Sequence, residues 1–408
     1  MKKLFFILIP AIIYAEDLKS ILEYAHKNNN LVLSSKYTKD AKVQEVASKK
    51  SDFFPKIDIG ASYKNTSNTT FFQINEIYAG YAKVEVDIYD GGVKSSLVDK
   101  AKNELSASSY DEAHTKKSLS LQIAEEFYAL RSLEALLRAK EDSKNSIQEQ
   151  LERIKKFYDA KLATNDDIQR LQAAFDKNIY DIESVKFEML SVKKSLEWHV
   201  GKEIKILEKS NFKDIQSTDV EQSDAIKSLS YKSSAIQNSA KVLEGIYYPR
   251  VKLEDSYTLY GYNNIMPNHP AKIDRQNILM LSLNMRIFDY GATKEARETL
   301  ILSSKALEQQ QEYLTKEQLM NYEVSISRVN SAKLKIKSAK SALISSASAF
   351  RTINEKYNAG IVDFVVYLDA LSSKTEASAT YEKSLNDLEV AYAMFYYHSG
   401  KKLEEFIK

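Results

Sequence analysis

The chain of 408 residues carries 58 lysines and arginines against 56 aspartates and glutamates, so its formal net charge is only +2. This balance gives no support to nucleic-acid binding, which needs a basic surface. Cysteine is absent, the five histidines show no metal-ligand spacing, and no catalytic or phosphate-binding motif occurs. We therefore predict no enzyme and no bound metal or cofactor.

The first residues predict export. Lys2 and Lys3 precede an apolar run at 4–13, which is followed by Tyr14-Ala15-Glu16. This is the pattern of a secretory signal peptide at 1–15, cleaved after Ala15. A membrane anchor is the alternative, but a spanning helix needs roughly 20 apolar residues. An exported protein without disulfides must be stabilised by packing or by association.

The remainder of the chain contains an internal sequence repeat. The segment IYDGG at 88–92 recurs as IFDYG at 287–291, and YDA at 158–160 recurs as YNA at 357–359, both at an offset of 199 (287 minus 88). A repeat this long indicates a duplicated structural unit rather than a solenoid period. After the signal at 1–15 we predict a first repeat at 16–201 and a second at 202–408.

Each repeat contains a pair of segments in which apolar and polar residues alternate, as in Ile57, Ile59 and Ala61 against Asp58 and Gly60. This period predicts four strands in two β-hairpins, at about 56–89 and about 250–287. Ten alternating residues is the length of a tilted outer-membrane strand, although a half-buried soluble sheet gives the same alternation. Aromatic residues near the strand ends favour the membrane: Phe71, Phe72, Tyr78, Tyr81, Tyr89, Tyr257, Tyr260 and Tyr262.

Between the strand pairs lie long stretches without proline that are rich in Ala, Leu, Lys, Glu, Gln and Ser. Their apolar residues recur at helical intervals, which predicts long helical hairpins at about 92–200 and about 291–400. An arm from Gly92 to Tyr158 would be about 100 Å long at 1.5 Å per residue. Arms of this length need lateral partners to bury their apolar residues.

The number of strands predicts the assembly. Strands in a bilayer cannot leave their edges unpaired, and the smallest closed bacterial barrels have about eight strands. Four strands from one chain are therefore too few, whereas three chains supply twelve. A cyclic homotrimer is the simplest solution.

The chain resembles the TolC family of outer-membrane efflux and secretion channels. The resemblance covers essentially the whole mature chain and rests on motifs that recur in order: FFPKIDIGASY at 53–63, IYDGG at 88–92, YNAGI at 357–361 and YLDA at 367–370. It implies a mixed α and β membrane protein in which four strands per protomer complete a 12-stranded trimeric β-barrel, joined to a long periplasmic α-helical barrel. It also implies a passive exit duct for a tripartite efflux pump or a type I secretion system.

The resemblance further implies the partners and the location. The homotrimer would lie among outer-membrane lipid, with its helical tunnel in the periplasm, and would work with a periplasmic adaptor protein and an inner-membrane transporter. The family supplies no cofactor and performs no chemistry.

The family pattern places a selectivity filter at the far helical turn. Asp369 matches one ring aspartate, and three copies around an axis would form a ring selective for cations. The other ring position holds Val366, so the filter is thinner or shifted, with Asp363 as a possible substitute.

The same turns carry the family's closing contact. Asp167 and Tyr357 match a link in which a carboxylate accepts a phenolic hydrogen bond, worth on the order of 1.5 to 3 kcal/mol. The arginine expected nearby is replaced by Val362, which predicts weaker closure. The tips themselves are small and apolar, which suits docking of an adaptor, although tight turns alone also favour small residues; the residues concerned are Ala160, Lys161, Leu162, Ala359, Gly360 and Ile361.

Two other classes remain open. A periplasmic adaptor (membrane fusion) protein would also be exported and rich in helical hairpins, but it would carry one hairpin, whereas this chain has two hairpins and two strand pairs. An exported coiled-coil structural protein would keep an uninterrupted heptad pattern. Pro55, Pro249 and the alternating segments argue against it.

Overall fold

The computed structural model describes residues 16–67, 73–216, 219–263 and 269–408. The predicted signal segment 1–15 and the predicted strand-end residues Phe71 and Phe72 lie outside the described residues. The elements follow in chain order: α1 (Leu18–Asn28), α2 (Asn30–Ser51), β1 (Lys56–Asn65), β2 (Glu76–Tyr89), α3 (Val93–Asp159), α4 (Asn165–Val200), α5 (Asp224–Gly245), β3 (Arg250–Asn263), β4 (Arg275–Asn284), α6 (Ala292–Asn358), α7 (Phe364–His398) and a 3-10 turn at Leu403–Phe406.

The chain folds as two compact units. The first comprises the described residues up to Ser35 together with Glu112–Asp224 and Thr315–Lys408, and the second comprises Lys36–Asp111 and Ala225–Leu314. Each unit takes segments from both predicted repeats, so the units do not divide at residue 201. The repeat boundary at 201/202 stays a prediction.

The second unit contains the β-sheet. Its four strands are antiparallel neighbours in the order β1-β2-β3-β4, so the two hairpins are joined through the β2–β3 pair and β1 and β4 form the edges. The hairpin predicted to reach Ile287 ends earlier, because β3 begins at Arg250, which pairs with Asn284, and offers no partner beyond that point.

The two faces of the sheet differ in chemistry. The register aligns Val86 with Leu253 and Leu253 with Leu281, so one face is mainly apolar, with Asp255 as a charged exception. On the other face the Glu85 carboxylate accepts hydrogen bonds from Lys83 at 2.9 Å and from Lys252 at 2.8 Å. Lys83 lies on β2 with Glu85, whereas Lys252 lies on β3, so the Lys252 bond connects the strand pairs of the two repeats.

A matching turn leads from each strand pair into a long helix. The Asp90 carboxylate accepts from the backbone N–H groups of Gly92 at 3.0 Å and Lys94 at 2.7 Å. Asp289 repeats this arrangement with the N–H groups of Gly291 and Thr293, each at 3.1 Å. A carboxylate in this position satisfies donors that the first helical turn leaves free.

The core of the first unit forms where α1, α3, α4 and α7 pack together. Phe127, Tyr128 and Phe395 are among its fully buried side chains. The Tyr128 hydroxyl donates to the Ser210 carbonyl at 3.0 Å, and the ring of Tyr396 stacks on Phe406 at 4.0 Å. These contacts hold the segment after α4 and the C-terminal residues against the helices. In the described ranges, none of the helices combines the length and the apolar character needed to cross a membrane.

Candidate functional site

The turn between α3 and α4 is fixed by backbone and side-chain hydrogen bonds. Lys161 has a positive φ of 61°, and the Leu162 N–H donates to the Phe157 carbonyl at 2.7 Å. The Asp167 carboxylate accepts from the Thr164 N–H at 2.9 Å and from its hydroxyl at 2.7 Å. These bonds lower the pKa of Asp167. They form a capping box that determines where α4 begins.

The turn between α6 and α7 is built in the same way. Gly360 has a φ of 75°, and the Ile361 N–H donates to the Lys356 carbonyl at 2.9 Å. Asp363 is the N-cap of α7, and its Oδ1 accepts from the N–H groups of Val365 at 3.0 Å and Val366 at 3.1 Å. The carboxylate of Asp363 is thus engaged in starting the helix, which sequence reasoning did not foresee.

A small apolar cluster lies behind these turns in the first unit. It consists of five buried side chains, Ile147, Leu151, Leu171, Tyr367 and Leu371. Burial raises the pKa of Tyr367 to about 12. The ring of Tyr357 stacks on Tyr367 at 4.9 Å, so the end of α6 is packed against the first turns of α7.

Arg153 connects the two helical hairpins beside this cluster. Its guanidinium donates to the side-chain oxygen of Asn358 and, at 3.1 Å, to the Asn358 carbonyl. It also lies over the rings of Phe157 at 5.2 Å and Tyr357 at 5.7 Å. Sequence reasoning missed this residue, because no local pattern indicates a contact between residues 205 positions apart.

The link between Asp167 and Tyr357 stays a prediction, because the described contacts of the two side chains are mainly with other partners. Burial raises the pKa of Tyr357, with Arg153 opposing the rise and Asp167 adding to it, so the Asp167 charge acts on the phenol. The hydrogen bonds of the carboxylate go to Thr164, and Tyr357 is held by ring contacts with Arg153 and Tyr367.

Asp369 stands on the solvent-exposed side of α7. The exposed residues there recur at intervals of three and four, and we call them the exposed stripe of α7: Val366, Asp369, Ser373, Glu376 and Thr380. This spacing is that of one face of a helix. Asp369 is therefore presented on the same side as Val366 and Glu376, with its carboxylate free to face water.

The six residues predicted to dock an adaptor are all exposed. Leu162 and Ile361, at equivalent places in the two turns, are 77% and 70% exposed. Apolar side chains this open to water are available for a partner. Among the described residues, no group of three or more histidines and carboxylates is placed to hold a metal ion.

A four-stranded antiparallel sheet, two long helical hairpins and apolar exposed turns are the features that the TolC-family resemblance implies for one chain. In agreement, residues 21–185 match the family model described as outer membrane efflux protein. The chain is 21% identical over 411 residues to the outer membrane protein TolC of Vibrio cholerae serotype O1, covering 95% of this chain and 92% of the relative.

Solved structures show the same fold. The outer membrane protein VceC of Vibrio cholerae superposes with a TM-score of 0.82 at 12% identity, covering 95% of this chain and 96% of that one. The outer membrane channel CmeC of Campylobacter jejuni gives a TM-score of 0.84 at 14% identity, covering 95% and 86%. These findings confirm the TolC-family resemblance, the mixed α and β fold with four strands per chain, and the outer-membrane location. The family is one of channels rather than of enzymes.

Proposed function

We propose that three copies of this chain form an outer-membrane channel that serves as the passive exit duct of a tripartite efflux pump or a type I secretion system. Its partners are a periplasmic adaptor protein and an inner-membrane transporter. The observation that carries this proposal is the open sheet, whose edge strands β1 and β4 pair on one side only.

An open sheet edge is unfavourable in a bilayer. Each unpaired backbone group in hydrocarbon costs several kcal/mol, so strands in a membrane form closed barrels. β1 and β4 each contribute ten residues. Pairing β4 of one copy with β1 of the next removes both edges, and three copies give a twelve-stranded barrel within the size range of outer-membrane proteins.

The exposed side of α4 supports association as well. Five large apolar side chains lie within an arc of about 100° on the helix, and we call them the apolar arc of α4: Ile179, Tyr180, Phe187, Leu190 and Trp198. An arc of this width normally faces a packed neighbour. Exposed apolar side chains on α6, such as Leu319, Met320 and Val324, offer a second surface of the same kind.

The exposed stripe of α7 is different in character, because four of its five members are polar, although the exposed Val365 lies beside it. A polar stripe suits the wall of a water-filled conduit. Three copies of Asp369 around the axis would then form a ring that favours cations. Asp363, engaged at the N-cap, is the weaker candidate for that ring, and the apolar tips at 160–162 and 359–361 are the docking sites for the adaptor.

The test is a measurement on the purified full-length protein in detergent. Native mass spectrometry gives the number of copies, and a planar bilayer gives the current. We expect a trimer and small, steady, cation-selective current steps, and a matched variant lacking residues 76–89 should give no current. A folded monomer that never inserts would overturn the proposal in favour of an adaptor or an exported coiled-coil protein.

A further inference from the structure

We propose that three tyrosines on the charged face of the sheet form a binding site for flat aromatic cations, and we call them the tyrosine patch: Tyr81, Tyr260 and Tyr262. This inference rests on the proposed channel function, in which the charged face lines the water-filled interior of the barrel. It adds a place at which cargo is retained before it leaves, and it names the chemical class that is retained.

The tyrosine patch lies on the charged face and not on the apolar one. Tyr81 is four residues from Glu85 on β2, and Tyr260 is eight residues from Lys252 on β3. Side chains separated by an even number of residues in a strand point to the same face. Glu85 and Lys252 bind each other across that face. The patch therefore faces away from Tyr257, so it does not belong to an aromatic belt on the lipid side.

Two of the rings are held in place through their hydroxyl groups. The Tyr262 hydroxyl donates to the Ile273 carbonyl at 2.5 Å and accepts from the Ile273 N–H at 3.1 Å. The Tyr260 hydroxyl donates to Oε1 of Gln276 at 3.3 Å. The two rings are parallel to within 13°, with their centroids 6.4 Å apart. Because the hydroxyls are engaged and the side chains are partly exposed, the rings themselves are the surface that a ligand meets.

Tyr81 extends the patch onto the neighbouring strand. Its ring lies across β1 so closely that a β-carbon at Gly60 would be 2.4 Å from it, and 38% of the side chain stays exposed. Tyr81 pairs with Thr258, which places it diagonal to Tyr260. Diagonal neighbours are about 7–8 Å apart, within reach of aromatic side chains. Successive rings are thus offset by two residues, about 7 Å along the strand, so a ligand can pass from one ring to the next.

The chemistry of the patch favours a flat cation. Aromatic side chains stack on other flat rings, and their faces attract cations. A carboxylate lies beside them, because the Tyr260 N–H donates to the Asp274 carbonyl at 3.0 Å and opposite residues share a face. Asp274 is 78% exposed, and its pair with Lys272 is long, at 3.7 Å, so the pair contributes little. Rings this open to a water-filled interior are unfavourable until a ligand covers them.

The test compares the block of single-channel currents by two cations of equal charge, proflavine, which is flat and aromatic, and tetrabutylammonium, which is saturated. Added on the side of the hairpin turns, proflavine should block the wild type for longer. Tyr260→Leu should shorten the proflavine blocks about tenfold, which corresponds to about 1.4 kcal/mol, and should leave the tetrabutylammonium blocks unchanged. Tyr260→Phe keeps the ring and should retain most of the block duration.

Tyr257→Leu is the matched control, because it makes the same substitution three residues away, on the opposite face of the same strand. The mass of the trimer is measured for every variant, so that a folding defect is recognised. If the wild type conducts but Tyr260→Leu shortens the proflavine blocks no more than Tyr257→Leu does, the site is overturned while the channel stands. If the wild type gives no current, the proposed function fails and the site fails with it.

Discussion

Tyr180 and Trp198 lie on the same side of α4, separated by 18 residues, which is five helical turns. Both side chains are about three-quarters exposed, at 73% and 75%. Phe187, at 74%, stands between them. A row of aromatic side chains this open is unfavourable in water, so the row predicts a covering surface, which the proposed trimer supplies from a neighbouring subunit.

Phe187→Asn should weaken the trimer. Burying an aromatic side chain contributes about 1.5 to 3 kcal/mol, and this contribution is lost at each of three junctions. Glu188→Asn is the control, because it introduces the same side chain one residue further, about 100° around the helix. Native mass spectrometry over a dilution series should show earlier dissociation for Phe187→Asn alone. Equal dissociation of both variants would contradict the placement of Phe187 in the interface between subunits.

The single tryptophan reports on the same surface without a change of sequence. Trp198 is the only tryptophan in the chain. If a neighbour covers it, its fluorescence emission should move to longer wavelength as the trimer dissociates on dilution, because the indole then becomes exposed to water. A constant emission maximum during dissociation would place Trp198 outside the interface.

Asp369→Asn should weaken the block of the channel by multivalent cations. The substitution removes three negative charges from one ring in the trimer, and such rings attract and retain cations. Glu355→Gln removes an exposed carboxylate from the neighbouring α6 and serves as the control. The concentration of a trivalent cation that halves the current should rise for Asp369→Asn alone. An unchanged value would remove Asp369 from the filter.

Ile361→Asp and Leu162→Asp should impair export while leaving the channel intact. Both side chains project from the tips, 70% and 77% exposed, so an aspartate there adds charge to the docking surface without disturbing a core. Lys155→Asp, at an exposed position of α3, is the control. Drug susceptibility of cells that depend on this channel should rise for the two tip variants, with single-channel currents unchanged. Normal resistance would show that docking uses other residues.

The fold was predictable because its signals are local and repeated. Alternation near Ile57 and Ile59 indicated strands, and the absence of proline after Gly92 indicated long helices. The end of β4 at Asn284 was not predictable in this way, because it depends on where the partner strand begins.

The candidate site was predictable only in part. The positions of Asp369 and Tyr357 follow from the family motif, but the role of Asp363 depends on cap geometry and that of Arg153 on a contact across 205 residues. A single sequence carries no periodic signal for contacts of that kind. The family motif showed that position 362 holds valine instead of the expected arginine. Only the structure shows that Arg153, on a different helix, binds Asn358.

Glu389 should make the stability of the folded protein depend on pH. Its Oε2 accepts a hydrogen bond from the Phe212 N–H at 2.6 Å, and burial raises the pKa of this carboxyl despite that bond. An acid whose pKa is higher in the folded state than in the unfolded state binds protons more readily when folded. Its destabilising effect is therefore absent below the ordinary glutamate pKa, grows as pH rises towards the folded value, and is complete above it.

The substitution Glu389→Gln tests the direction of this pH dependence. The glutamine oxygen can still accept from the Phe212 N–H, but it carries no charge, so the variant should unfold at a higher temperature than the wild type at pH 7. We expect the unfolding temperatures of the variant and the wild type to differ by roughly 2 °C, which corresponds to about 1 kcal/mol in a large domain. This difference should vanish as the pH falls below about 4. The measurement is thermal unfolding in detergent, followed by helical circular dichroism across that range. A difference that stays the same at every pH would assign the effect to packing, because packing does not titrate.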